Sequence, residues 1–150
     1  MRTVKDILQQ KGPQFNYIRP DATVLEAITI MKSENISYLI VKDSGDKYLG
    51  IISERDYAHK VILENKRSDT TKVNEIMTTS LAIAQFNDST SHCMLLMNTS
   101  KERYLPVFDE NNFRGVITIH DLMREAMADY EKGKQDLQTH EKEFLREHGS

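Results

Sequence analysis

Residues Gly50–Asp56 read Gly-Ile-Ile-Ser-Glu-Arg-Asp, and residues Gly115–Asp121, 65 positions later, read Gly-Val-Ile-Thr-Ile-His-Asp. The two stretches share a glycine, an aliphatic pair, a hydroxyl residue and an aspartate three positions after the hydroxyl. A short aliphatic run is typical of a buried strand, and a hydroxyl residue followed by an acid at this spacing is typical of a helix start. Each stretch therefore predicts a strand-to-helix junction, and the chain is expected to contain two copies of one unit.

The size and charge of the chain narrow the classes of protein that it fits. With 150 residues, the two copies are expected to share a core, since a unit of about 65 residues is marginal alone. The net charge of −3 gives no basic field for nucleic acid or an anionic membrane surface. The single cysteine excludes an internal disulfide and predicts a reducing, cytoplasmic location. We expect no signal peptide and no transmembrane helix, because no apolar run is long enough.

Both copies have the same order of predicted elements: a lead-in helix, a strand, a helix, a hairpin and a second helix. The first repeat is assigned to residues 1–63 and the second to residues 73–128, with the polar segment 64–72 as the connection. Residues 129–150 follow as a helical tail. This order predicts an α+β fold of two tandem β-α-β-β-α repeats, packed with pseudo-twofold symmetry and extended by a C-terminal helix.

Local signals place the first helix of each repeat. Thr23 and Glu26 predict a capping box, and Asn35 is expected to end the helix that begins there. The inward face of this helix is predicted to be Val24, Ala27, Ile28 and Met31. The helix of the second repeat is expected from about Ser89 to Asn98. Its predicted inward residues are Cys93, Met94 and Met97.

Runs rich in β-branched and aromatic residues flank short turns and predict two antiparallel hairpins. The paired segments are Tyr38–Val41 with Tyr48–Ile52, and Tyr104–Phe108 with Phe113–Ile117. Pro106 lies inside one of these strands, which predicts an edge strand or a bulge, because proline donates no ladder hydrogen bond. Beyond Asp121 the helix is expected to continue to about Arg146. Its apolar residues Met123, Tyr130, Leu137 and Phe144 recur every seven positions among charges, so a sustained coiled coil is not predicted, and packing against a partner helix is left open.

The two junctions can be interpreted in two compatible ways. As helix starts, Ser53 and Thr118 cap free backbone N–H groups, and the acid favours the positive end of the helix dipole. As binding sites, the free amides and a neighbouring Arg55 or His120 suit a phosphate, while a carboxylate accepts two hydroxyl protons of a ribose diol. The adjacent residues that suit the faces of a purine are Ile51, Ile52, Val116 and Ile117.

The sequence resembles the cystathionine-β-synthase (CBS) domain pair, also called a Bateman module, from Met1 to about Ala128. The resemblance is carried by Glu75–Thr78 (Glu-Ile-Met-Thr), Pro20–Ile28 (Pro-Asp-Ala-Thr-Val-Leu-Glu-Ala-Ile) and the repeated Gly-apolar-apolar-Ser/Thr-x-x-Asp pattern. The run Ser53–Val61 is similar to a stand-alone subgroup of bacteria and plants. The resemblance implies a regulatory module without catalysis that binds adenosine-containing ligands in two clefts between the repeats. The ligand class stays open among AMP, ADP, ATP, NAD(H) and S-adenosylmethionine.

The resemblance also implies roles for individual residues. The aspartate holds ribose hydroxyls, the Ser or Thr and the residue before the aspartate face phosphate, and the backbone near the first strand contacts adenine. The candidate ligand-binding residues are Ile18, Thr23, Tyr38, Ile51, Ser53, Arg55, Asp56, Ile83, Tyr104, Pro106, Val116, Thr118, His120 and Asp121. The second copy departs from the pattern, with Asn87–Thr90 in place of Pro20–Thr23 and His120 in place of a fixed cation. Its cleft is therefore the weaker match.

We further predict a homodimer whose arrangement, and the pose of the C-terminal helix, depend on the bound nucleotide and signal to an unidentified regulated protein. An enzyme is not predicted, and neither is a metal site, because the histidines and the cysteine have no ligand spacing. These residues are His59, His92, Cys93, His120, His140 and His148. The alternative function is a ligand-free scaffold that dimerises through its helices and binds a partner through its tail.

Overall fold

The computed structural model describes residues 2–12 and 14–148. The order of elements predicted for each repeat is present twice, which confirms the α+β class. The elements in chain order are α1 (Val4–Lys11), β1 (Tyr17–Ile18), α2 (Val24–Glu34), β2 (Tyr38–Lys42), β3 (Tyr48–Ser53), α3 (Glu54–Tyr57) with a π-helical turn (Ala58–Ile62), α4 (Val73–Ile76), β4 (Ala84–Gln85), α5 (Thr90–Ser100), β5 (Tyr104–Asp109), β6 (Asn112–Thr118) and α6 (Ile119–His148).

The chain divides into two compact units whose limits differ from those of the sequence repeats. The first unit is Lys11–Ala82, and the second is Met1–Gln10 with Ile83–Ser150, of which residues 2–10 and 83–148 are described. We call them the Asp56 unit and the Asp121 unit. The lead-in helix α1 thus belongs almost entirely to the Asp121 unit, and α4, the lead-in of the second repeat, belongs to the Asp56 unit.

The Asp56 unit is built on a three-stranded sheet in the order β1-β2-β3, with β1 parallel to β2 and β2 antiparallel to β3. The predicted capping box is confirmed, since Glu26 N donates to Thr23 Oγ1 and Thr23 N donates to the Glu26 carboxylate. Asn35 ends α2 in the left-handed conformation, also as predicted. The core of the unit consists of Ile18, Val24, Ala27, Met31, Leu39, Val41, Ile52, Val61, Val73 and Ile76.

Backbone hydrogen bonds explain why α4 and its flanking residues belong to the Asp56 unit. Val73 N donates to Ala22 O at 2.8 Å. Thr78 forms an isolated antiparallel bridge with Ile51, with N···O distances of 2.8 and 3.0 Å. The bridge brings the Thr78 carbonyl so close to Gly50 that a Cβ there would lie 2.6 Å from the oxygen. Glycine at position 50 is therefore required by the approach of this segment.

The Asp121 unit has the corresponding sheet β4-β5-β6, again with one parallel and one antiparallel pair. Helix α1 joins it through Val4 N, which donates to Asp88 O at 2.9 Å, and Lys5 N, which donates to Phe86 O at 3.0 Å. Gly115 has a φ of 145°, a conformation that residues with a Cβ rarely adopt. The two repeated glycines are thus required for different structural reasons.

Two local predictions for the second repeat are corrected. Met94 was expected to face inward but is 42% exposed, because the buried stripe of α5 runs through Cys93 and Met97, one helical turn apart. An edge strand or a bulge was predicted at Pro106: the edge position is wrong, because Pro106 lies in the central strand β5, whereas a bulge or irregularity is present next to it. Pairing of β5 with β4 begins one residue later, at Val107, and the register shift against β6 follows directly. The proline is accepted there because β4 does not reach it.

Helix α6 continues to His148, two residues beyond the predicted end. Its first turns contain the buried residues Asp121, Leu122 and Glu125, whereas every residue from 126 to 148 is exposed. The apolar residues that recur every seven positions are exposed as well. Their exposed fractions range from 51% at Met123 to 72% at Leu137. No helix within residues 2–12 and 14–148 combines the length and the apolar character needed to cross a bilayer.

Candidate functional site

The junction of the Asp56 unit is a closed capping box between the end of β3 and the start of α3. Ser53 keeps an extended backbone, and its Oγ accepts from Asp56 N at 3.1 Å. In return, Asp56 Oδ2 accepts from Ser53 N at 2.9 Å and from Ser53 Oγ at 3.1 Å. Both residues are buried. The helix-start interpretation of this motif is therefore confirmed.

The other carboxylate oxygen of Asp56 is held from outside the motif. Asp56 Oδ1 accepts from Thr78 Oγ1 at 2.8 Å and lies 2.8 Å from Lys60 Nζ. The same ammonium donates to Ile76 O at 2.9 Å and to Thr78 Oγ1 at 3.2 Å. Lys60 lies in the π-helical turn that follows α3. Asp56 and Lys60 together therefore connect the junction to the segment that follows α4.

The junction of the Asp121 unit repeats the capping box with different additional partners. Thr118 N donates to Asp121 Oδ2 at 2.8 Å, and Asp121 N donates to Thr118 Oγ1 at 3.2 Å. Asp121 Oδ1 accepts from the Arg124 guanidinium, one turn further along α6. The Asp121 side chain is 2% exposed and that of Arg124 is 68% exposed. The buried Asp121 carboxylate is thus paired with an exposed cation.

The position four residues after each aspartate has opposite charge in the two units. In the Asp56 unit it is Lys60, which bonds to the carbonyl of Ile76 in the lead-in segment. In the Asp121 unit it is Glu125, which is buried and pairs with Arg2 of the lead-in segment at 2.7 Å. Both units therefore use this position to hold the lead-in segment, with the polarity reversed.

The residues expected to face phosphate lie at the surface. Arg55 and His120 are exposed, and neither side chain makes a hydrogen bond or ion pair with another residue of the ranges 2–12 and 14–148. Ile51 and Val116, expected beside a purine, are buried in β3 and β6. Tyr38 and Tyr104 begin β2 and β5, where both are half-buried. The hydroxyl of Thr23 is occupied by its capping box.

The strand register shows that Ile83 is not the structural counterpart of Ile18, although both were predicted to present the backbone that contacts adenine. Ile18 is buried and pairs with Val41, and the residue that pairs with the equivalent Val107 is Ala84. Ile83, the predicted counterpart of Ile18, is 49% exposed. An open groove of about 810 Å³ borders Ile18 on the side of β1 and α2. The residues that line it are Tyr17, Ile18, Arg19, Asp21, Ala22, Leu25, Glu26, Thr29 and Ile30.

Sequence reasoning missed Lys60, Thr78, Arg124 and the pair of Arg2 with Glu125. A basic residue four positions after a capping aspartate was the one available signal for Lys60, because residues at this spacing are neighbours on a helix. Thr78 gave no such signal, since it is 22 residues from Asp56 in the sequence. Its role is visible only once the lead-in segment is placed beside β3.

In the part of the chain that the structure describes, the side chains suited to metal binding form no cluster and the one thiol is buried. Within residues 2–12 and 14–148, no three side chains of His, Cys, Asp or Glu are placed to hold a metal ion. Cys93 is buried in α5. Burial, with a smaller contribution from Asp88, raises the pKa of its thiol to about 12. The thiol is therefore protonated and weakly nucleophilic at neutral pH.

Comparison with known proteins gives one consistent family. The CBS domain matches residues 4–62 and again residues 73–128. The mitochondrial CBS domain-containing protein CBSX3 of Arabidopsis thaliana is 29% identical over 146 residues, which are 92% of this chain and 71% of that protein. A candidate signal-transduction protein with CBS domains from Burkholderia ambifaria MC40-6 has a structure 37% identical, with a TM-score of 0.79 over 85% of this chain and 96% of its own. The hexameric CBS-CP12 protein of bloom-forming cyanobacteria is 26% identical, with a TM-score of 0.69 over 82% and 70%.

Proposed function

Because this chain belongs to the CBS-domain family, we propose that it is a regulatory module that binds an adenosine-containing ligand and changes its interactions when the ligand is bound. The ligand class is AMP, ADP, ATP, NAD(H) or S-adenosylmethionine, and the module performs no catalysis. The observation that carries the proposal is the pair of buried Ser/Thr–Asp junctions, one in each unit, each with an exposed Arg55 or His120 beside the aspartate.

The chemistry of each junction supports this ligand class. An ionised aspartate accepts hydrogen bonds only, so it matches the vicinal hydroxyls of a ribose. Arg55 is exposed and its guanidinium makes no hydrogen bond or ion pair within residues 2–12 and 14–148, so it is available to a phosphate, which it can bind with two parallel hydrogen bonds. His120 at the second junction is cationic only when protonated, which favours a less charged ligand there.

The position of the second junction provides a route from ligand to partner. Thr118 caps the first turn of α6, which contains Asp121, and residues 126–148 of this helix extend beyond the buried part of the unit. A ligand bound at Asp121 would contact the base of this helix and bias its pose. Ligand shifts such an equilibrium only if it binds the two states unequally. We propose that the readers of this change are a second copy in a homodimer or a regulated protein, in the cytoplasm.

The proposal is tested by titrating the full chain with AMP, ATP, NADH and S-adenosylmethionine, by calorimetry and thermal shift. A ligand at 100 times its Kd should stabilise the chain by about 2.7 kcal/mol. Substituting Asp56→Ala or Asp121→Ala should weaken binding by about 10- to 150-fold, since each removes a charge-assisted hydrogen bond. Asp46→Asn, in the exposed β2–β3 turn, removes a carboxylate at a left-handed position that Asn also adopts, so it is the control and should leave nucleotide affinity unchanged. If none of these compounds binds, the sensor function is wrong.

One observation favours a second function, a ligand-free dimerisation or protein-interaction scaffold. Large apolar residues of α6 are exposed along the helix, and exposed apolar surface is typical of interaction sites. They are Met123, Met127, Tyr130, Leu137, Phe144 and Leu145. Under this function, Leu137→Ser would abolish self-association or partner binding measured by sedimentation, and added nucleotide would leave it unchanged. A nucleotide-dependent change in association would contradict the scaffold function.

A further inference from the structure

The carboxylate of Asp56 has no acceptor position left for a ligand. An ionised aspartate offers about four lone-pair positions on its two oxygens. Ser53 N and Ser53 Oγ occupy Oδ2, and Thr78 Oγ1 and Lys60 Nζ occupy Oδ1. The side chain is also buried, with 10% of its surface exposed. A ribose diol therefore has to replace a partner that is already bound.

The four partners of Asp56 differ in how easily they can leave. The two donors of Ser53 belong to the capping box that starts α3, so their loss would open the helix start. Thr78 Oγ1 reaches Asp56 from a different segment, and its backbone is held separately through both bonds to Ile51. Rotation of the Thr78 side chain about χ1 would therefore free Oδ1 while leaving the backbone bridge in place.

Lys60 is the second partner that can leave without unfolding the junction. Its ammonium has three donor hydrogens, and its three partners are Asp56 Oδ1, Ile76 O and Thr78 Oγ1. The side chain is 44% exposed, so water can replace a lost partner. Thr78 and Lys60 also bond to each other, which means that movement of one weakens the hold of the other.

We infer that Thr78 and Lys60 form a lock on Asp56, and that an adenosine ligand binds in the Asp56 unit only by displacing the Thr78 hydroxyl from Oδ1. The inference rests on the proposed function and adds a residue that determines affinity at that site. Part of the ligand's binding free energy is used to break the lock, so the locked site binds more weakly than the same site without the Thr78 hydroxyl. The exchange also transmits occupancy to the segment after α4, since Thr78 lies in it.

The variant that isolates the lock is Thr78→Val, which removes the hydroxyl and keeps the shape of the side chain. Full-length wild type and variant are titrated with adenosine, whose lack of phosphate confines the comparison to the ribose and base. Loss of one competing hydrogen bond to the ionised carboxylate should tighten adenosine binding by about 10- to 150-fold. The probe 2′,3′-dideoxyadenosine, which has no hydroxyl for Asp56, should bind both proteins equally. Thr79→Val, at the exposed neighbouring position, is the matched control and should leave adenosine affinity unchanged.

The outcomes separate the lock from the proposed function. Tighter adenosine binding by Thr78→Val than by wild type, or binding seen only in that variant, supports the lock. The gain must also disappear without the carboxylate, so the double variant Asp56→Asn with Thr78→Val should bind adenosine no more tightly than Asp56→Asn alone. Wild-type binding with equal or weaker binding by Thr78→Val overturns the lock and leaves the sensor function standing. A gain that survives in the double variant, or that also appears with the dideoxy probe, overturns the lock in the same way. Absence of binding by both proteins, to adenosine and to all four ligands of the earlier titration, overturns both.

Discussion

The Asp56 unit and the Asp121 unit fix equivalent carboxylates with partners of different origin and exposure. Asp56 is held by Lys60 and by Thr78 of a distant segment, whereas Asp121 is bound by the exposed Arg124 of its own helix. The position four residues after the aspartate is Lys60 in one unit and Glu125 in the other, and each side chain bonds to the lead-in segment of its unit. Both units therefore connect the helix after the junction to the lead-in segment at the same position, but the connecting side chain is a cation in one unit and an anion in the other.

The largest difference is expected when the two aspartates are removed. Asp56→Ala eliminates four accepted hydrogen bonds and leaves Lys60 without its carboxylate, so we expect a loss of about 2 to 4 kcal/mol in the free energy of unfolding. Asp121→Ala loses at least the capping box and the pair with the exposed Arg124, for about 1 to 2 kcal/mol. Urea denaturation of both variants and of wild type measures the difference. Equal losses would mean that the Lys60–Thr78 network adds nothing to the capping box.

The repeated glycines should respond through different mechanisms. Gly50→Ala would force a Cβ against the Thr78 carbonyl, at a cost of about 2 to 3 kcal/mol, and it should detach the bridge between Thr78 and Ile51. Gly115→Ala places a Cβ at a φ of 145°, which costs about 1 to 2 kcal/mol without affecting Thr78. Hydrogen exchange at the Thr78 amide distinguishes the two, because only Gly50→Ala should accelerate it. Acceleration in both variants would contradict the assignment of separate causes.

A smaller effect is expected when the two lead-in contacts are cut. Lys60→Met keeps the aliphatic stem but loses three hydrogen-bond partners, and we expect a loss of about 1 to 2 kcal/mol, reduced from a buried pair because the side chain is partly exposed. Arg2→Gln should cost about 1 kcal/mol, since the similarly exposed Arg2 loses its pair with the buried Glu125 and its hydrogen bond to Gln10. Thermal unfolding measures both, with His59→Met as the exposed control. A larger loss for Arg2→Gln would reverse the comparison.

The smallest effect is expected from truncation of α6 after Tyr130. The deleted residues that the structure describes, 131–148, are all exposed, so the free energy of unfolding of the remainder should change by less than about 0.5 kcal/mol. Far-ultraviolet circular dichroism should register the lost helix while the denaturation midpoint stays constant. A substantial drop in the midpoint at high protein concentration alone would instead reveal an association made through the tail.

The parts of the fold that the sequence predicted are those determined by neighbouring residues. The capping box of Thr23 and Glu26, the end of α2 at Asn35 and both hairpins depend on residues a few positions apart. Hydrophobic periodicity placed most of the buried face of α2 for the same reason. The predicted burial of Met94 was wrong because it depends on tertiary packing and not on neighbouring residues. An apolar residue beside a buried stripe can face the core or the solvent.

The candidate site was predictable only in part. The motif itself identified Ser53, Asp56, Thr118 and Asp121, because both members of each pair occur within one helical turn. The partners that distinguish the two sites were not predictable, since Thr78 and Arg2 arrive on lead-in segments distant in sequence. Lys60 and Glu125 occupy equivalent positions, but their opposite charges gave no sign in the sequence that both contact a lead-in segment. The ligand roles of the motif residues stay predictions.

The length of α6 has a mechanical consequence. Its exposed residues 126–148 extend about 35 Å along the helix axis at a rise of about 1.5 Å per residue. A tilt of about 10° at the base would then sweep the far end through about 6 Å at that helical rise. Small rearrangements at Thr118 and Asp121 are thereby magnified into displacements comparable to the width of a side chain, and a spectroscopic label near the chain terminus would register them far more strongly than one at the junction.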